Sequence, residues 1–136
     1  MYIECGQMSG DPSHRQQIEF EDTVAQFFTD IERANEGAEI FLPNGLSFTR
    51  PLQDRRNSGF HYGEIWRLGL PTKTQWGEPY VGRVVLLTRR DAGGYDIHVA
   101  NAGSPTARQW ATNANVQGAI GVTGQITAPG RNFGCW

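Results

Sequence analysis

The chain has 136 residues, of which 38% are hydrophobic and 19% are charged, a size and composition that predict one folded domain. It has no run of about 18 apolar residues and no basic start followed by an apolar core, so the sequence predicts neither a membrane span nor a secretory signal and favours the cytoplasm. The formal net charge is −2, and it is unevenly distributed. Residues 1–40 carry two basic and nine acidic side chains, whereas residues 41–136 carry ten basic and five acidic ones. The larger part of the chain is therefore basic and compatible with a polyanionic partner.

The basic residues are almost all arginine. Eleven of the twelve are Arg, and one, Lys73, is Lys. An arginine side chain presents a planar fork of donors that matches a phosphate group or the edge of guanine, whereas lysine acts as a point charge. The composition therefore favours a nucleic-acid partner, and a compositional bias of the source genome is the alternative explanation.

The N-terminal segment is acidic. Residues 1–19 combine Gly, Pro, Ser, Gln and charged residues with little apolar periodicity and predict an irregular leader. Apolar residues then recur at helical spacing, which predicts an amphipathic helix over residues 22–35 with Gly37 as the left-handed residue that ends it. The apolar stripe of this helix consists of Phe20, Val24, Phe27, Phe28 and Ile31. Its outer face is acidic and should point away from a polyanion.

Short apolar segments separated by turn residues follow from residue 39 onward. They predict strands at 39–42, 46–49, 64–70, 82–89 and 95–100, and one or two weaker strands within 113–127. Asn44-Gly45 is a strong hairpin signal between the first two strands. Many short strands, frequent glycine and a single helix predict a mainly β domain over residues 20–136, built as a barrel or open pseudobarrel with the one helix near its N-terminus.

Two cysteines, Cys5 and Cys135, lie near opposite ends of the chain. Neither has a second Cys or a His at the spacing of a zinc site. The simplest interpretation is two reduced thiols. The alternative is one disulfide, which requires a close approach of the two ends and an oxidising compartment.

Catalytic motifs are not found in the sequence. Lys73 has no Asp, Glu or His two residues before it, so it completes neither a carboxylate-x-Lys nuclease centre nor a His-x-Lys phosphodiesterase centre. The three histidines are isolated, and no nucleophile-elbow, zinc-protease or phosphate-loop string occurs. The sequence therefore predicts a non-catalytic chain with no catalytic residue, metal or cofactor. A metal-free hydrolase built on Cys135 or His61 is the alternative.

Three polar segments carry side chains of the kind that recognise nucleic acid. Predicted loops at 49–61, 71–77 and 128–134 combine basic residues with Asn, Gln, Ser and aromatic residues. Arg pairs with guanine, Asn and Gln pair with adenine, and hydroxyl and backbone N–H groups bind phosphate. The predicted DNA-binding residues are Arg50, Arg55, Arg56, Asn57, Ser58, His61, Lys73, Gln75, Trp76, Arg131 and Asn132. Solvated loops without a ligand are the alternative.

The order of residues in these segments resembles a known family. The matching stretches are Trp-Arg-Leu-Gly at 66–69, Val-Val-Leu-Leu-Thr-Arg-Arg at 84–90, Tyr-Asp-Ile-His-Val at 95–99, Gly-Ser-Pro at 103–105 and Gly-Arg-Asn-Phe-Gly at 130–134, with Phe-Leu-Pro at 41–43 and Arg-Arg-Asn-Ser at 55–58 upstream. Together they resemble the DNA-recognition domain of phospholipase-D-type restriction endonucleases, which has the B3-like pseudobarrel fold. The similarity spans residues 39–136 and leaves the predicted helix at 22–35 without a counterpart.

The resemblance implies double-stranded DNA as the partner. By that resemblance, two projecting arms grip the major groove, basic loops hold the DNA backbone with Arg131 on a phosphate, and cleavage is left to a separate nuclease domain or subunit. Arg55, Arg56 and Asn57, in the longest polar loop, have the donor geometry for base edges. We therefore expect sequence-specific DNA binding without cleavage, as in target recognition by a restriction system. The alternative is a protein-interaction or small-ligand-binding β-domain.

Overall fold

A computed structural model describes residues 2–5, 17–20, 27–28, 37–54, 66–77, 80, 82–116, 122–126 and 131–135 of the chain. In chain order the elements are β1 (Tyr2–Cys5), β2 (Gln17–Phe20), β3 (Ala38–Phe41), β4 (Ser47–Arg50), β5 (Leu52–Asp54), β6 (Trp66–Gly69), α1 (Lys73–Trp76), β7 (Arg83–Arg89), β8 (Tyr95–Asn101), α2 (Pro105–Val116), β9 (Val122–Ile126) and β10 (Arg131–Cys135). The prediction of a mainly β protein is confirmed.

The strands of the described residues form two sheets. The larger has seven strands in the order β4-β3-β8-β7-β1-β10-β9, and the smaller has three in the order β2-β6-β5. Neighbouring strands are antiparallel except β3 and β8, which run parallel. Within the described residues neither sheet closes into a barrel.

The predicted hairpin at Asn44-Gly45 is confirmed between β3 and β4. Leu42 N donates to Leu46 O at 2.8 Å, and the Asn44 side-chain oxygen accepts from Leu46 N at 3.0 Å. Gly45 has a φ of +87°, a conformation that residues with a Cβ rarely adopt. The turn residues therefore fix the register of this pair, in which Ile40 lies opposite Phe48.

β7 is buried on both faces. Val85 and Leu87 belong to the main core between the two sheets, while Val84 and Leu86 contact a second cluster under α2. Because successive side chains of a strand point to opposite faces, the apolar run at 84–87 requires cover on both. The main core is completed by side chains that are at most 2% exposed, among them Ile18, Ile40, Leu52, Leu68, Leu70, Tyr80, Tyr95 and Ile97.

The predicted helix over residues 22–35 does not run through its centre. Phe27 lies in a turn and Phe28 has no regular structure, and the remaining residues of that prediction lie outside the described part of the chain. Both rings are buried, 5.2 Å apart between centroids, and both contact Tyr95. Consecutive residues of a helix point in directions about 100° apart, so a turn suits two neighbouring rings that enter the same core.

The prediction that residues 1–19 form an irregular leader is wrong at two strands. Residues 2–5 form β1, which lies between β7 and β10, and residues 17–20 include the start of the smaller sheet at β2. Each strand is only four residues long. Their partners are far away in sequence, so periodicity over such short segments carries little signal.

α2 is a helix that the sequence analysis did not predict. Ser104 Oγ accepts a hydrogen bond from Ala107 N at 3.2 Å, and Pro105 occupies the first helical position, where its missing N–H is not needed. The helix continues to Val116, so the expected weak strands over 113–127 are wrong at their start and confirmed at β9. Ala107 and Trp110 pack the helix against Val84 and Leu86, on the face of β7 that points away from the main core.

The two ends of the chain lie side by side, with Tyr2 opposite Gly134 in the β1–β10 pair. The same register separates Cys5 from Cys135 by about four residues along the strands, roughly 13 Å at 3.3 Å per residue. A disulfide needs Cα atoms within about 7 Å, so this register favours two thiols. No helix among the described residues is long and apolar enough to cross a membrane.

Candidate nucleic-acid interface

Basic and amide residues meet at one end of the larger sheet. Arg83 of β7 lies opposite Asn101 of β8 on one side and opposite Cys5 of β1 on the other. The recorded pairs of β1 and β10 end at Ile3 and Phe133, and their antiparallel direction brings Arg131, the first residue of β10, to the end of the sheet where Cys5 and Arg83 lie. Arg131, Cys5, Arg83 and Asn101 at this end of the sheet are here termed the basic row. Since adjacent strands are about 4.8 Å apart and β1 lies between β7 and β10, Arg83 and Arg131 are two strand spacings apart, about 10 Å or more.

The segment 71–77, predicted as a loop, contains the single helical turn α1. Thr72 Oγ1 accepts from Gln75 N at 3.2 Å, and Gln75 Oε1 accepts from Thr72 N at 2.9 Å, a reciprocal capping box. Gly77, with a φ of +84°, ends the turn by donating its N–H to Lys73 O at 2.6 Å. The prediction of a loop is therefore wrong for residues 73–76. Bidentate pairing of Gln75 with adenine would break this cap, whereas the Lys73 side chain is exposed.

Trp76 joins this turn to an open pocket. Its side chain is half-buried against the main core, and its ring centroid lies 5.9 Å from that of Tyr80. The pocket has a volume of about 440 Å³ and is lined by Pro43, Trp76, Arg83, His98 and Val99. We term it the Trp76 pocket. Because Arg83 belongs both to this pocket and to the basic row, the two features are continuous.

The pocket lies where β3 ends. β3 pairs with β8 at two positions, Ile40 with Tyr95 and Phe41 with Asp96, and the chain then enters the hairpin turn. β8 continues to Asn101. Beyond Asp96, the edge of β8 on this side therefore has no pairing strand among the described residues, and His98 and Val99 from this stretch line the pocket.

Several arginines serve the fold. Arg89 Nε donates to Phe27 O at 2.7 Å, and its guanidinium carbon lies 4.9 Å from the centre of the Phe27 ring. Arg90 forms an ion pair with Asp96 at 2.8 Å and lies 3.8 Å from the centre of the Phe41 ring. The arginine-rich composition therefore reflects packing as well as any ligand.

Arg50, a predicted DNA-binding residue, is the last residue of β4 and lies against β6. The loop predicted at 49–61 is therefore wrong over β4 and β5. A Cβ on Gly69 would be 3.3 Å from Arg50 Nη2, so the guanidinium occupies the space left by this glycine. The Arg50 Nε is buried and has no hydrogen-bond partner among the described residues. The side chain is half-buried, on the smaller sheet's side of the molecule rather than in the basic row.

The structure brings together only part of the predicted site. Trp76 lines the pocket that adjoins the basic row, and Arg131 belongs to the row itself. Asn132 follows in β10, opposite Gln125 of β9, so the loop predicted at 128–134 is wrong from residue 131 onward. The predicted residues Arg55, Arg56, Asn57, Ser58 and His61 lie outside the described part of the chain.

Sequence reasoning missed Arg83 and His98 as site residues. Arg83 was expected only as part of a strand, and His98 was expected to be a surface residue, which its exposure confirms. Neither has a motif around it, because the pocket is assembled from the β3–β4 turn, α1, β7 and β8. Among the described residues, no group of three or more His, Cys, Asp and Glu side chains is placed to hold a metal ion.

No protein-family model matches the chain, and the search of curated proteins gives no significant match.

Proposed function

We propose that the chain binds double-stranded DNA through the end of the larger sheet that carries the basic row, and that it does so without cutting the DNA. The observation that carries this proposal is that Arg83 of β7 and Arg131, the first residue of β10, lie at the same end of the larger sheet with β1 between them. One DNA strand has a phosphate about every 3.4 Å of axis, so two arginines about 10 Å or more apart can reach separate phosphates of one strand.

The start of α2 lies at the same end of the sheet. Ser104 N donates to Asn101 O at 3.1 Å, which holds the helix start beside the basic row. α2 contains no acidic residue, and its Arg108 and Gln109 side chains are exposed. A polyanion approaching the basic row therefore meets no carboxylate on this helix, and it meets further donors for phosphate or base edges.

A B3-like pseudobarrel belongs to the same proposal. Four of the seven segments that carry the sequence resemblance overlap strands: 66–69 with β6, 84–90 with β7, 95–99 with β8 and 130–134 with β10. By that resemblance, cleavage belongs to a separate nuclease domain or subunit and the chain supplies target recognition in a restriction system. A cytoplasmic location is proposed with it, since the strand register favours reduced cysteines.

Selection from a pool of random duplexes tests this function. The chain should enrich a short common sequence, because base contacts add specificity to the phosphate contacts. A matched selection with the Arg83→Gln, Arg131→Gln double variant should lose most of the bound DNA. Recovery of no duplex above background by the native chain at low salt would overturn the proposal.

A second candidate function is the binding of a small ligand. The Trp76 pocket favours it, since about 440 Å³ falls within the range of small-molecule sites in proteins.

A further inference from the structure

We infer that the Trp76 pocket receives one nucleotide, with the base against Trp76 and the phosphate near Arg83. This inference rests on the proposed function, because it makes the pocket the place where the basic row meets a single unit of the nucleic acid. The ligand class is a nucleoside 5′-monophosphate unit. It is supplied either as a free nucleotide or as a base extruded from a duplex.

The walls of the pocket match the two halves of a nucleotide. Pro43, Trp76 and Val99 provide an apolar surface, and the indole ring of Trp76 is large enough to stack on a base. Arg83 and His98 provide nitrogen donors on the same pocket. An apolar aromatic wall beside a guanidinium suits a ligand that is flat at one end and anionic at the other.

The edge of β8 adds backbone N–H and C=O groups to the side chains that line the pocket. β3 stops at Phe41, whereas β8 runs on to Asn101, so the strand edge beyond Asp96 borders the pocket without a pairing strand among the described residues. Strand edges present alternating N–H and C=O groups. The polar edge of a base carries the complementary donors and acceptors, so the strand can recognise the base by hydrogen bonds while Trp76 contacts its face.

The basic row explains how a nucleotide of a longer chain would arrive. Arg83 lines the pocket and also belongs to the row, so a phosphate held there lies next to the pocket entrance. Inside a duplex the base must first leave the stack, which costs least at a mismatched or damaged position. We therefore expect preference for duplexes that contain such a position.

Free nucleotides test the pocket directly. Titration of the full chain with dAMP, dGMP, dCMP and TMP, followed by calorimetry, should show binding that weakens about tenfold in Arg83→Gln, the effect of losing one charge-assisted contact. Trp76→Leu and His98→Ala should also weaken nucleotide binding. His98 is exposed, so its replacement does not put folding at risk. Trp110→Leu is the matched control, because this half-buried indole belongs to α2 and packs on the other face of the sheet.

A duplex carrying 2-aminopurine at a mismatch tests whether the pocket receives a base extruded from a duplex. Its fluorescence should change on binding to the native chain and to Trp110→Leu, because the base leaves the stack of the duplex. The response should differ with Trp76→Leu, which removes the ring that the base contacts. Duplex binding with no nucleotide binding and no fluorescence change would overturn the inference and leave the proposed function standing. Nucleotide binding without any duplex binding would support the pocket and overturn the proposed function.

Discussion

The carbonyl oxygen of Arg50 lies 2.6 Å from the position that a Cβ on Gly37 would occupy. Gly37 has a φ of +83°, and the carbonyl belongs to the strand that pairs with the following residue, Ala38. The left-handed residue predicted at position 37 is thus confirmed. Its lack of a side chain is required twice, by the backbone conformation and by the close approach of β4.

This relationship predicts different effects for two glycine substitutions. Gly37→Ala and Gly45→Ala both force a Cβ onto a left-handed residue, at a cost of about 1 to 2 kcal/mol. A Cβ on Gly45 meets nothing within 4 Å. Gly37→Ala should therefore lower the free energy of unfolding by a further 1 to 3 kcal/mol, roughly the cost of overpacking. Urea denaturation of both variants measures this difference, and equal losses would show that β4 moves away freely.

The buried ring of Phe28 should contribute strongly to the free energy of unfolding. Its ring is 1% exposed and lies 5.1 Å from the ring of Tyr95. Phe28→Ala should lower the free energy of unfolding by about 3 to 5 kcal/mol, because a large buried ring leaves a cavity. Leu46→Ala is the control, since Leu46 is 57% exposed and should change stability by less than about 0.5 kcal/mol. An unchanged melting temperature for Phe28→Ala would show that this segment does not dock on the core.

The sequence was informative where local chemistry decides the structure. Asn44-Gly45 predicts its hairpin, and the apolar run at 84–87 predicts a strand, because turn chemistry and strand propensity act over a few positions. The signals for α2 were also present, in Ser104 and Pro105 ahead of a segment with only one charged residue. The Gly-, Ala- and Val-rich composition of residues 113–127 suggested strands instead.

Features that depend on the pairing of strands far apart in the sequence could not be predicted. β1 is held by β7 and β10, which lie at least 78 and 126 residues further along the chain. The basic row exists only because these three strands are neighbours, so neither Arg83 nor Arg131 reveals the other in the sequence. The Trp76 pocket likewise depends on where β3 stops relative to β8, which is a property of the sheet and not of any single segment.

Arg55 and Arg56, which lie outside the described residues, are expected to determine specificity more than affinity. Arg55 and Arg56 were identified from the sequence as candidates for base edges. Truncating one that reads a base should cost about 1 to 3 kcal/mol and relax the preference at one position of the target. Affinities of Arg55→Ala and Arg56→Ala for the selected duplex and for single-base variants of it measure this. Equal losses on every sequence would assign these arginines to phosphates.

Absence of cleavage is expected when the purified chain is incubated with plasmid and magnesium. Lys73 lacks the partner residues of either nuclease centre considered above. Supercoiled plasmid should remain supercoiled over hours on an agarose gel. Nicking that copurifies with the chain through successive columns, and that is lost in Cys135→Ala or His61→Ala, would instead establish the metal-free hydrolase.

The affinity for one duplex at several salt concentrations measures how many phosphates the basic row neutralises. Each phosphate neutralised adds about 0.9 to the slope of log affinity against log salt, so Arg83→Gln and Arg131→Gln should each lower it by about one unit and the double variant by about two. Arg89→Gln is the control for loss of one charge, at the other end of β7 and about 20 Å away. Because Arg89 also donates to Phe27 O, its melting temperature is measured alongside, and the folded variant should keep the slope of the native chain. A double variant of Arg83 and Arg131 with the slope of the native chain would show that the basic row does not contact phosphates.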